Sequence, residues 1–140
     1  MEFKVLFALQ FEVTFPSSLR FLERFARIAQ MNEKQLLLAQ YFTDTCLLDC
    51  RLVKERPSKV AAVCLYASMN FFKSQQNNLC HPNSSSYISS NQIWNATLTK
   101  HTGYHEQEMH HMAADLLNYV LKIQKSQLRT MQKKFQDQRF

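Results

Sequence analysis

Histidines, cysteines and a scatter of carboxylates are the side chains of this 140-residue chain that could do chemistry. His101, His105, His110 and His111 lie close together, and with Cys80 and His81 they offer the nitrogen and sulfur donors that zinc prefers. A zinc site needs ligands that converge tetrahedrally. His110 and His111 are adjacent, so on a helix they point about 100° apart and cannot both face one ion. Solvated histidines at helix edges account for the cluster better, and no metal or cofactor is expected. Cys46 and Cys50 stand four residues apart in a helical pattern, a spacing open to a soft metal, yet helical cysteines usually serve as small core residues. Together with Cys64 and Cys80 they form no C-x-x-C pair, which fits reduced thiols in an intracellular protein better than a disulfide framework.

Catalysis needs a nucleophile held against a base, or two carboxylates whose pKa values are pushed apart. The carboxylates here sit beside basic residues on amphipathic stretches, Glu23 near Arg24 and Arg27, Asp49 near Arg51. That arrangement reads as solvated ion pairs of little energetic weight. No local grouping of Ser, His and Asp stands out, so no enzyme is expected. One glycine and three prolines exclude a Walker loop, a dinucleotide fingerprint and an all-β barrel rich in hairpins. Asn83-Ser-Ser and Asn95-Ala-Thr match the glycosylation pattern, which matters only in a secreted chain. Residues 1–13 are apolar but interrupted by Lys4, Gln10 and Glu12 and lack a cleavage site, so they read as neither signal peptide nor membrane span.

The elements that must position these side chains are helices. A hydrophobic content of 46%, with 12% aromatic residues, supplies enough apolar surface for one packed domain. Residues 2–10 carry Val5, Leu6 and Leu9 at helical spacing, and residues 11–15 run extended into Pro16. Ser17 or Ser18 caps a second helix with Leu22, Phe25, Ala26 and Ala29 on one face, ending near Met31. Asn32 and Gln35 resemble a capping box for a third, built on Leu36, Ala39, Tyr41, Phe42, Cys46 and Leu47. Pro57 opens a fourth whose residues 60–67 are apolar or small on every side, which places it in the middle of a bundle.

Residues 73–92 are a Ser, Asn and Gln tract, read as a mobile surface loop because little burial offsets its ordering entropy. A short helix over 94–101 closes on Gly103 as a left-handed cap. The last strong helix carries Met109, Met112, Ala113, Leu116, Leu117, Val120 and Leu121 on one stripe, with Glu106 and Glu108 at the positive end of its dipole. Beyond Gln124 the chain becomes basic, with Arg129, Lys133, Lys134 and Arg139. Seventeen Lys and Arg against eleven Asp and Glu give a net charge of +6, suited to an acidic partner or to nucleic acid.

Taken in order, several segments resemble the C-terminal half of a cyclin of the A/B, mitotic kind. They are Leu9-Gln-Phe-Glu-Val-Thr-Phe-Pro16 leading into Phe21-Leu-Glu-Arg-Phe25, Ala39-Gln-Tyr-Phe with Asp49, and Pro57-Ser-Lys-Val-Ala-Ala62. They continue with Trp94, Leu98 and Thr102-Gly-Tyr104, and end in Arg129-Thr-Met-Gln-Lys-Lys-Phe-Gln-Asp-Gln-Arg-Phe140. The resemblance implies an all-α, five-helix cyclin-box fold with a terminal basic helix. Residues 1–15 would be the remnant of the last N-terminal-box helix and its connector, 16–125 the C-terminal cyclin domain, and 126–140 a basic tail.

It further implies a non-catalytic regulatory subunit of a cyclin-dependent protein kinase in cell-cycle control, located in the nucleus, the cytoplasm or both, with no membrane contact. Carried over by position, Glu2 would accept hydrogen bonds or pair with a kinase cation, and Leu6, Phe11 and Val13 would fill apolar contacts. Phe3 stands where the family often has a polar side chain. Most of the N-terminal cyclin box has no counterpart, so a truncated product is expected, able to self-associate through the face that box would cover. The alternatives are a cyclin-fold module that binds nucleic acid, as in some transcription factors, and a half-cyclin scaffold that activates no kinase.

Overall fold

A computed structural model describes residues 1–79, 93–124 and 134–135. Six helices occur among them, with no strand: α1 (Glu2–Ala8), α2 (Ser18–Ile28), α3 (Glu33–Cys46), α4 (Pro57–Leu79), α5 (Ala96–Thr102) and α6 (Glu106–Gln124). Helices α2 to α6 are the five expected of the cyclin-box fold, and α1 precedes them.

The centre of the bundle is α4. Its residues 60–67 are all buried, with Val60 at 4% and Tyr66 at 5% exposed and the five residues between them at 0%. A helix apolar on every side has no wet face, and here α2, α3 and α6 cover it. Leu22 and Phe25 of α2, Ala39 and Phe42 of α3, and Met109 and Leu116 of α6 complete one continuous core. Small residues at 61, 62 and 67 let neighbouring helices approach closely, and the Ser68 hydroxyl donates to the Gln35 carbonyl oxygen of α3 at 2.7 Å.

Local signals fix the helix ends. The Asn32 N–H donates to the Gln35 side-chain oxygen at 3.0 Å, part of the expected capping box between these two residues. Helix α2 stops at Ile28, before the expected Met31, because Gln30 turns left-handed (φ 51°) and the Met31 N–H reaches back to the Ala26 carbonyl oxygen at 3.1 Å. Gly103, at φ 77°, ends α5 with its N–H on the Thr99 carbonyl oxygen at 2.8 Å.

The Thr102-Gly103-Tyr104 segment ties three elements. The Thr102 hydroxyl donates to the Leu98 carbonyl oxygen and accepts the Tyr104 N–H. The Tyr104 hydroxyl meets that of Ser58 at the start of α4 at 2.9 Å, and its carbonyl oxygen accepts the Trp94 indole N–H at 3.1 Å. The buried Trp94 ring then stands edge-on to Tyr66 at 6.1 Å.

Three expectations are corrected. Residues 73–79 continue α4 as helix instead of opening a loop. Elongating a helix already nucleated and packed over 60–67 adds one hydrogen bond per residue fixed, so polar residues ride on its end; residues 80–92 lie outside the described residues. The α6 stripe is narrower than expected, with Leu117 and Leu121 exposed while Val120 and Ile123 are buried. Helix α3 ends at Cys46, so Cys50 lies in the following turn, exposed, and shares no helix face with Cys46. Of the terminal basic segment, Lys134 and Phe135 are described: Lys134 pairs with Asp44 of α3, and Phe135 packs edge-on against Tyr41 at 5.3 Å.

Candidate functional site

Ahead of the bundle, α1 buries none of its residues. Phe3, Val5, Phe7, Leu9, Phe11, Val13 and Phe15 are all exposed, Phe15 at 74%. Their spacing is two, a pattern suited to one face of a strand. On a helix the same spacing scatters side chains to opposite flanks, so α1 cannot bury them all against one surface. Phe3 and Phe7, one turn apart, do share a flank, with ring centroids 6.1 Å apart.

The break after α1 is a turn over residues 9–11, where helix through residue 10 followed by extended chain was expected. Gln10 (φ 51°) and Phe11 (φ 58°) are both left-handed. The Phe11 N–H closes back on the Leu6 carbonyl oxygen at 2.9 Å and the Gln10 N–H on that of Phe7 at 3.0 Å. This reversal satisfies the last carbonyls of α1 without a glycine, at the cost of two L-residues in a sparsely populated region.

The five residues singled out for kinase contact thus lie on one short segment in unequal settings. Glu2, Phe3, Phe11 and Val13 are exposed, whereas Leu6 is half-buried. Sequence reasoning passed over Val5, Phe7, Leu9 and Phe15 as contact residues, although the alternation from Phe3 to Phe15 was there to be read. An exposed apolar series of this length goes beyond the single scattered apolar residues that are normal on a protein surface.

Elsewhere the chemistry-bearing residues do not converge. His101, His105, His110 and His111 are exposed; His111 Nδ1 lies 3.3 Å from Asp115, and His110 faces a groove with Tyr66 and Glu106. Cys80, His81 and Asn83 lie outside the described residues, and Asn95 caps α5. Among the described residues no three of His, Cys, Asp and Glu are grouped to hold a metal ion, and no helix is long and apolar enough to cross a membrane.

Cys46 finds its partner across the core in Cys64, Sγ to Sγ 3.7 Å, both buried. Burial, then the hydrogen bond that the Cys64 thiol shares with Cys46, pushes the Cys64 thiol well above its ordinary value, which keeps it protonated and inert. Asp49 and Arg51 are more than a solvated pair. The Asp49 carboxylate is buried and accepts the Arg51 backbone N–H at 2.9 Å and its guanidinium at 3.0 Å, and these hydrogen bonds hold its pKa below the usual value. Glu23 pairs with Arg20 at 3.6 Å, and neither Arg24 nor Arg27 has a carboxylate within ion-pairing distance among the described residues.

The described residues form a bundle of five helices preceded by a short helix and an exposed apolar segment. The family model "Cyclin, C-terminal domain" matches residues 16–140. The chain belongs to the cyclin family through that domain. It is 27% identical over 135 residues to a G2/mitotic-specific cyclin-B of Dictyostelium discoideum, covering 96% of this chain and 28% of the relative. With a putative cyclin-A3-1 of Arabidopsis thaliana it shares 30% identity, over 100% of this chain and 37% of that protein. With a G2/mitotic-specific cyclin-B3 of Gallus gallus it shares 31%, over 89% and 26% respectively. The chain therefore spans about a third of the length of the curated relatives it matches.

Proposed function

We propose that this chain is a cyclin-like regulatory subunit, not itself an enzyme, that binds a cyclin-dependent protein kinase in cell-cycle control. Glu2, Phe3, Leu6, Phe11 and Val13 form the contact. The observation that carries the reading is the exposed apolar series of residues 3–15, directly ahead of the region that matches the cyclin C-terminal domain. The description of two relatives as G2/mitotic-specific supports a role in cell division.

On this reading Phe11 and Val13 enter apolar pockets of the kinase, since full desolvation of aromatic and aliphatic anchors is what gives an interface its affinity. Phe3, exposed and stacked with Phe7, joins the same contact. Glu2 is exposed and free to pair with a kinase cation at the rim. Leu6, half-buried, holds the flank of α1 from which the others project.

The test is a calorimetric titration of the purified chain into a cyclin-dependent kinase of the same organism, with kinase activity followed in the same samples. Binding is expected, and Leu6→Asp and Phe11→Asp should each weaken it at least about tenfold while leaving the bundle's melting transition in place. Binding that both variants retain in full, or no binding, sinks the assignment of this segment.

A further inference from the structure

The positive charge of this protein is not spread evenly over the described surface. Arg20, Arg24 and Arg27 follow one another at i, i+4 and i+7 on the exposed side of α2. With Glu23, Ile28 and His101 of α5 they line an open groove of about 520 Å³. The neighbouring groove across α2 toward α3, lined by Glu23, Arg27, Leu36 and Gln40 among others, holds a single cation.

Three features mark the first groove as unsatisfied. Arg24 and Arg27 have no ion-pair partner among the described residues, and Arg20 reaches only Glu23, at 3.6 Å with its own side chain 81% exposed. Arg20 also stands in the first turn of α2, which contains no acidic residue, so its charge opposes the positive end of the helix dipole. His101 adds a further donor from the opposite wall.

We propose that this groove between α2 and α5 docks an acidic peptide segment of a protein partner, in extended conformation, with carboxylates on alternate residues. The three arginines cover about 10 Å along the helix axis. Same-side residues of an extended peptide repeat at about 6.8 Å, so two successive carboxylates fit within the row. A guanidinium fork takes a carboxylate bidentately, which gives register as well as attraction. A lone phosphate, being compact, can be forked by one or two guanidiniums and leaves the rest of the row unpaired. Glu23 holds Arg20 in the free protein, and an incoming carboxylate takes its place. The site uses none of the residues of the proposed kinase contact, so it stands or falls independently of that reading.

The test is fluorescence anisotropy of a labelled peptide alternating Glu with Ser, titrated with the full chain in about 50 mM salt, where surface attraction is little screened. The double variant Arg24→Glu, Arg27→Glu should lose at least about tenfold in affinity, whereas Lys54→Glu, exposed on the connector between α3 and α4, should lose less than about twofold. Glu23→Gln frees Arg20 and should tighten binding about twofold, a gain that a misfolded variant cannot show. Circular dichroism confirms that each variant is folded. Equal losses from the α2 double variant and Lys54→Glu reduce the effect to net charge and overturn the proposal. It is equally overturned by no binding of the acidic peptide, by equal affinity for a neutral peptide bearing one phosphoserine, or by tighter binding of duplex DNA.

Discussion

Residues 60–67 and residues 3–15 are both rich in apolar side chains, and the first stretch is buried throughout while the second is exposed almost throughout. The contrast lies in geometry and surroundings. The central helix is apolar in all directions and has helices on all sides, so every side chain finds a partner. The N-terminal segment repeats its apolar residues every second position on a helix of seven residues, too short to be stable alone. Hydrophobicity alone therefore does not decide burial; the arrangement of neighbours does.

Substitutions separate the two regions sharply. The largest effect is expected for Leu65→Ala, which opens a cavity at a fully buried site of α4 and should cost about 2–5 kcal/mol in a chemical denaturation experiment. Next comes Asp49→Ala, which removes the acceptor of the Arg51 backbone and guanidinium hydrogen bonds and should cost about 1–3 kcal/mol.

That contribution depends on pH in a known direction. The Asp49 carboxyl titrates below its ordinary 3.8 in the folded protein, so its stabilisation is fully present above that value and is lost as pH falls toward the lowered one. Unfolding midpoints of the parent and of Asp49→Ala should therefore converge as pH falls through the range below 3.8. A constant gap across that range would show that the carboxylate's charge contributes nothing.

Smaller again is Gly103→Ala. Nothing lies within 4 Å of the added methyl group, so the cost is that of a left-handed backbone alone, about 1 kcal/mol. At the bottom of the scale, Phe7→Ala on the exposed flank of α1 should shift stability by no more than about 0.5 kcal/mol. A larger loss there would mean that α1 packs on the bundle in solution, and the contrast between the two regions would fail.

Much of the bundle was legible because its signals are local or periodic. Gly103 closed α5 as expected, Gln35 capped α3, and the all-round apolar run of residues 60–67 announced the central helix. What escaped was set by neighbours or by cooperativity. Helix α4 runs on through residues 73–79 because its buried half nucleates it, whatever the propensity of Ser, Gln and Asn. Cys46 meets Cys64, eighteen residues away and on another helix, a contact no spacing rule contains. Asp49 looked like a surface charge until the turn after α3 buried it against Arg51.

The proposed contact rests on resemblance and not on a local signal. Its five residues were named by position in the cyclin family, while the alternation from Phe3 to Phe15, the feature that keeps the segment exposed, went unread. The arginine row on α2 was visible as a spacing of four and three, but its opposite wall was not, since His101 is more than seventy residues away in the chain.

The sequence by itself determined that this protein is helical, where α2, α3 and α4 begin, where α5 ends, and which helix must lie at the centre, because caps, turns and apolar period act within a few residues. Only the tertiary structure decided which apolar side chains stay in water, which thiols and ions meet, and which walls a groove acquires. Those outcomes depend on surfaces brought together from distant parts of the chain, and burial is a property of such pairs of surfaces, not of either alone.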